Sequence, residues 1–158
     1  MQRRQETTAP ENIGLLLSLA SAQGVAAANT ALAPLDLNSR SYSLLELLAT
    51  TDGVSQRELA DALRLDPSQI VALVDGLERR TLAERRPHVS DRRQKSVVIT
   101  GPGRELYAQA RERIDGSIDE LLAGLDDDER QTLRLLLQRV VTPGSARTAG
   151  ADRLGQAS

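Results

Sequence analysis

The chain has 158 residues, 40% of them hydrophobic and 27% charged, with a formal net charge of −2. That content supports one modest globular domain. Cysteine is absent and His88 is the only histidine, which excludes disulfides, thiolate metal sites, cysteine-based sensing and a His-rich zinc site; no metal or cofactor is expected. Phe and Trp are absent and the aromatics are Tyr42 and Tyr107, so the stacking platforms of single-strand and RNA binders are missing.

Residues 1–11 are polar and read as a flexible N-terminus. Residues 12–33 read as one long helix, with Ile13, Leu17, Ala20, Gly24, Ala27 and Ala31 recurring at three- and four-residue steps. The small residues of that stripe would admit a partner helix, and Pro34 marks the stop. Leu15 to Leu19 followed by Ala20-Ser21-Ala22 mimics a secretory leader, which would predict cleavage after Ala22. Glu6, Pro10 and Glu11 stand where a leader carries positive charge, and Gln23, Asn29 and Thr30 weaken a membrane span. A helix buried against another protein surface, in a cytoplasmic protein with no membrane partner, is the better reading.

A second helix over 38–50 buries Leu44, Leu45, Leu47 and Leu48, and Thr51-Asp52-Gly53 is a turn. Ser55-Gln56-Arg57-Glu58 is a capping box that opens a third helix, with Leu59, Ala62 and Leu63 inside. Asp66-Pro67-Ser68-Gln69 is a second start: Asp66 caps, Pro67 is preset for the first helical position, and Gln69 closes the box. The fourth helix buries Ile70, Leu73, Val74 and Leu77 and turns Ser68, Ala72, Asp75 and Arg79 outward. Leu82 to Arg86 and Ser96 to Thr100 are strand candidates around a charged loop from Pro87 to Lys95. Gly101-Pro102-Gly103 breaks the chain before a helix over 102–124, striped by Leu106, Ala110, Ile114, Ile118, Leu121 and Leu125. Asp126 to Glu129 places acids at the positive end of a last helix, whose apolar face is Leu133, Leu136, Leu137 and Val140. From Thr142 onward the composition predicts a disordered tail.

The fold class is therefore mainly α with a small β-hairpin: a winged helix-turn-helix with long terminal dimerisation helices. Residues 38–101 form the DNA-binding lobe, 12–33 and 102–141 the dimerisation helices, and 142–158 the tail. Charge distribution agrees. Between Glu78 and Lys95 the bases Arg79, Arg80, Arg85, Arg86, Arg92, Arg93 and Lys95 face the acids Glu78, Glu84 and Asp91. Asp115 to Glu129 carries acids and no base. The molecule is polarised, with one region suited to phosphates. The second helix of such a pair enters the major groove by its N-terminal residues. Here those are Pro67, Ser68, Gln69 and Ala72: Gln69 suits adenine, Ser68 several bases, Ala72 a thymine methyl. Arg57 and Arg79 are phosphate candidates, with salt-bridging to Asp61 and covering of a helix end as their ordinary alternatives.

Taken in order, these segments resemble the MarR family of bacterial transcriptional regulators over residues 12–141. The most specific segment is Ser90-Asp91-Arg92-Arg93-Gln94-Lys95, followed by Ser96 to Thr100 and Gly103-Arg104-Glu105-Leu106. It is similar to the family's Asp-x-Arg-x-Lys wing, its following strand and its Gly-Arg-Glu-Leu helix start. Ser55 to Ala60 and Val74 to Arg80 resemble the paired helices. The resemblance implies that Arg93 enters the minor groove, that Asp91 helps hold it, and that two copies read an inverted repeat; Arg92 and Lys95 are further DNA-binding candidates of the wing, with a solvated hairpin tip as the ordinary alternative for all three bases. It also implies an effector cavity between the dimerisation helices and the lobe, for which Arg40, Tyr42, Arg104 and Tyr107 are candidates beside the alternative of ordinary packing. The expected partners are double-stranded DNA, a second copy of the chain through Ile13, Leu17, Ala20, Gly24, Leu133, Leu136, Leu137 and Val140, and a small-molecule effector. The expected function is a sequence-specific, ligand-responsive repressor. The competing reading is a winged-helix protein–protein module without DNA binding, its surface the acidic Asp115–Glu129 stretch. No catalytic set emerges: a triad would depend on His88, which no nucleophile turn accompanies, and no phosphate-binding glycine loop is present.

Overall fold

A computed structural model describes residues 11–87 and 95–142. The expected flexible N-terminus and disordered tail, and the expectations on Asp91, Arg92 and Arg93, lie outside those residues, apart from Glu11 and Thr142. Two units are present, dividing after Leu121.

The first unit opens with α1 (Ile13–Leu32), capped by the Asn12 side chain, which accepts the Leu15 amide at 3.0 Å. A 3-10 turn (Ala33–Leu35) built on Pro34 ends it, closed by Asp36 in the left-handed conformation at φ 52°. Then come α2 (Ser39–Ala49), β1 (Val54–Ser55), α3 (Gln56–Leu63), α4 (Pro67–Arg79), β2 (Ala83–Pro87), β3 (Lys95–Ile99) and α5 (Gly101–Leu121). By length and composition, Ile13–Leu35 would suffice to cross a membrane. Here the helix runs unbroken past Ala22 to Leu32, whose side chain is fully buried in the core, and α1 packs along α5.

The expected hairpin is part of a three-stranded antiparallel sheet of order β1-β3-β2. Ala83 pairs with Ile99 and Pro87 with Lys95, while Val54 pairs with Val97 and Ser55 with Ser96. Gly53 makes β1 fit: its φ is +103°, and a Cβ there would stand 3.3 Å from Ser96 and Val98 side-chain atoms. Both long strands differ by one residue from the expected ranges. Leu82 closes the turn after α4 by donating to the Leu77 carbonyl, and Thr100 leaves β3 to cap α5. The core lies mainly in the lobe and is joined by the end of α1: Leu32, Leu44, Leu45, Leu48, Leu59, Ile70, Val74 and Val97 are fully buried. On α3 the inner face is Leu59 with Ala60; the expected Ala62 is exposed.

On the single chain the α1 stripe is open: Ile13 is 76% exposed and Leu17 45% exposed, with Ala20 exposed as well. One expectation about the long helices needs correction. The fifth helix stops at Leu121 rather than 124. Leu125 instead donates to the Leu122 carbonyl in a turn, and the Arg130 guanidinium takes up the Leu122 and Leu125 carbonyls. That turn belongs to the second unit, which continues as α6 (Asp127–Val141). Asp126 and Glu129 form its capping box, and no α6 residue is buried.

Candidate nucleic-acid interface

The turn between α3 and α4 is fixed by local chemistry. Arg64 adopts φ 52°, and its amide and that of Leu65 return to carbonyls of the last turn of α3. Asp66 then caps α4, accepting the Ser68 amide at 2.9 Å and the Ser68 hydroxyl at 2.6 Å. The Ser68 hydroxyl, and secondarily its amide, hold the Asp66 carboxyl below the usual carboxylate range. Gln69 Oε1 accepts the Asp66 amide at 3.3 Å, completing the box.

These bonds refine what the helix can offer a base. Ser68 has spent its one hydroxyl proton on Asp66, so outward it offers oxygen lone pairs. Gln69 is half-buried and uses its carbonyl oxygen in the cap, which leaves its Nε2 group as a donor and disfavours the two-point pairing with adenine. Pro67, Ser68, Ala72 and Arg79 are exposed, held outward by Ile70, Val74 and Leu77 in the core. Val71, 41% exposed, belongs to this face too and adds an apolar contact for a thymine methyl. Its apolar character concealed it in the sequence, although it stands three residues from Ser68.

The bases differ more than their clustering implied. Arg79, Lys95 and, at the start of α3, Arg57 are exposed. Arg80 turns inward, donating to the Asp36 carbonyl at 2.6 Å and the Leu35 carbonyl at 3.0 Å, so it ties the end of α4 to the turn after α1. Arg85 is occupied by Asp75, Glu78 and Gln56, and Arg86 pairs with Glu84. The basic surface is thus a subset of the basic segment: Arg80 and Arg85 are structural ties.

The fold is that of known regulators. A transcriptional regulator from Rhodococcus sp. RHA1 superposes with a TM-score of 0.78 at 40% identity, over 84% of this chain and 95% of that one. CouR from Rhodococcus jostii RHA1, bound to p-coumaroyl-CoA, superposes at 0.77 with 41% identity, over 85% and 94%. The MarR family profile matches residues 35–94. The chain belongs to the MarR family of transcriptional regulators. A second CouR structure, on a 23-mer DNA duplex, superposes at 0.77 with 30% identity over 84% of this chain and 94% of that one. Among curated relatives, the HTH-type transcriptional regulator BilQ of Clostridium symbiosum is 33% identical over 56% of this chain and 61% of its own. The chain spans about three fifths of the length of such curated relatives.

In this MarR-family chain the four effector candidates do not converge. Tyr42 is buried and Tyr107 half-buried, with their rings stacked at 5.9 Å and 25°. Burial, then the Glu46 carboxylate, pushes the Tyr42 hydroxyl up to about 12. Arg104 donates to the Ala49 carbonyl at the end of α2. Arg40 lies near the start of the same helix and is exposed, roughly 13 Å away by helical rise. A separate groove of about 420 Å³ runs between α1 and α5, lined by Ala27, Thr30, Ala31, Glu112, Arg113 and Gly116 among others. Of the residues expected to meet a second copy, Ile13, Leu17, Ala20, Leu136, Leu137 and Val140 are exposed, while Gly24 and Leu133 are half-buried.

Proposed function

We propose that this MarR-family chain is a cytoplasmic, homodimeric repressor that binds an inverted-repeat operator in duplex DNA and responds to a small molecule. The observation that carries the reading is the outer face of α4. Ser68, Val71, Ala72 and Arg79 stand exposed on a helix whose opposite side is locked into the core, as a major-groove helix requires. The β2–β3 stem beside it carries Lys95 at its outer end. Asp91, Arg92 and Arg93 follow from the family's wing pattern, with Arg93 in the minor groove.

A second copy is the proposed cover for the terminal helices. In the first unit Ile13 and Leu17 are 76% and 45% exposed, and in the second Val140 and Val141 are 62% and 66% exposed; each helix thus offers apolar side chains that a partner helix would cover. The CouR complexes support both remaining partners: one relative sits on a DNA duplex and the other holds p-coumaroyl-CoA. A coenzyme A thioester is therefore the first effector class to test. A ligand releases DNA only by favouring a dimer geometry in which the two α4 helices miss successive major grooves.

Footprinting on DNA flanking the chain's own gene tests this reading, alongside sedimentation of the free protein. The expected result is a dimer protecting two inverted half-sites about one helical turn apart. A monomer, or protection without symmetry, refutes it.

A further inference from the structure

Arg85 donates every face of its guanidinium to a different neighbour. Nε reaches Gln56 Oε1 at 2.8 Å, one terminal nitrogen reaches Asp75 Oδ1 at 2.7 Å, and the other reaches Glu78 Oε2. Its backbone amide also donates to Glu78 Oε1 at 2.7 Å. One side chain on β2 thus joins the first residue of α3 and two residues of α4. The Arg85 side chain is 19% exposed, whereas Asp75 is 44% exposed on the outer face of α4, between Ala72 and Arg79. Asp75 and Glu78 would otherwise present two negative charges from the helix that approaches phosphates, where like charge repels and slows association. A planar fork with fixed donors suits such a three-way junction; an ammonium on a flexible stem does not.

We propose that Arg85 is a positioning residue for DNA binding: it pins the wing stem to both helices of the pair and masks the Asp75 and Glu78 carboxylates from the DNA backbone. The inference rests on the DNA-binding reading above. It predicts that binding depends on a base that does not itself touch DNA. It also predicts that part of the loss on removing that base is electrostatic, so that it shrinks as salt rises.

The test compares wild type, Arg85→Met, Asp75→Asn and the double variant on one mixed-sequence duplex, from roughly 50 to 200 mM salt. Far-UV circular dichroism confirms folding; should Arg85→Met not fold, Arg85→Lys with and without Asp75→Asn carries the comparison. Arg85→Met is expected to bind about tenfold more weakly at the low-salt end, with the gap narrowing as salt rises. Asp75→Asn alone is expected to bind within about twofold of wild type, because Glu78 still holds Arg85. In the Arg85→Met background, Asp75→Asn is expected to recover at least about threefold, a rescue that a purely packing role would not show. Wild type that binds while Arg85→Met binds within twofold overturns the positioning role, and a loss that Asp75→Asn leaves untouched overturns the masking; either result leaves the DNA-binding reading standing. Wild type that binds no duplex overturns the DNA reading and this inference with it.

Discussion

Gly103→Ala isolates the joint between the lobe and α5. A Cβ on Gly103 would stand 2.0 Å from the Leu82 carbonyl oxygen, 2.9 Å from its carbon and 2.8 Å from Ile99 Cγ1. Ordinary heavy-atom contacts lie at about 3.5 Å or beyond, so the backbone would have to part by more than about 1 Å. The atoms in the way are main chain, and no rotamer relieves them. They are also held in place. The Thr100 amide donates to the Leu82 carbonyl at 3.1 Å, the Thr100 hydroxyl to the Thr81 carbonyl at 2.6 Å, and the Gly103 amide to the Thr100 hydroxyl oxygen at 3.1 Å. Overpacking costs about 1–3 kcal/mol, and disturbing two hydrogen bonds adds about 1 kcal/mol each. Alanine returns about 1 kcal/mol of helix propensity, so the net expectation is a loss of about 2–4 kcal/mol. At about 2–4 °C per kcal/mol for a chain of this size, thermal denaturation at fixed protein concentration should show Tm lower by about 5–15 °C. Gly116→Ala in the same helix is the control. A Cβ there meets nothing within 4 Å, so that variant should gain about 0.5–1 kcal/mol from propensity. A Gly103→Ala protein as stable as wild type, or stabilised like Gly116→Ala, would refute the close-approach argument.

Two further outcomes follow from the geometry. Arg79 and Arg80 are neighbours with separate tasks: Arg80→Ala loses both carbonyl bonds to the turn after α1 and should cost about 1–3 kcal/mol of stability. Arg79→Ala, exposed on α4, should leave stability within about 0.5 kcal/mol and lower the salt slope of DNA binding by about 1. Tyr42 should ionise near 12 in the folded protein against 10.0 for an ordinary tyrosine. Because the folded state favours the neutral phenol, stability should fall as pH rises from about 10 to about 12. Tyr42→Phe should remove that part of the alkaline dependence in denaturant titrations; an unchanged profile would count against burial as the cause.

Much of the lobe was legible because its signals are local. The Ser55–Glu58 and Asp66–Gln69 boxes each lie within one helical turn, and both form as read. Ile70, Val74 and Leu77 share one face by helical period alone. What escaped depends on distant partners. Strand β1 has two residues, too few for a period, and exists because Val97 and Ser96 lie beside Val54 and Ser55. Arg80 and Arg85 counted only as members of the basic segment, because a charge run does not reveal which members meet carbonyls or carboxylates elsewhere in the chain. Asp36 lies 44 residues from Arg80, and Gln56 29 from Arg85. Similarly, the α1 stripe announced an interface but not its location, since an apolar face reads the same whether a neighbouring element or a second copy covers it.

Equilibrium binding to DNA flanking the chain's own gene, with wild type beside Arg93→Ala across a salt series, tests operator binding most directly. Wild type should bind tightly, with preference over random duplex and a steep fall with salt, and Arg93→Ala should bind more weakly throughout. Binding by neither protein beyond its affinity for random DNA, there and at other promoters, would contradict operator binding and turn attention to a protein partner for the acidic Asp115–Glu129 stretch.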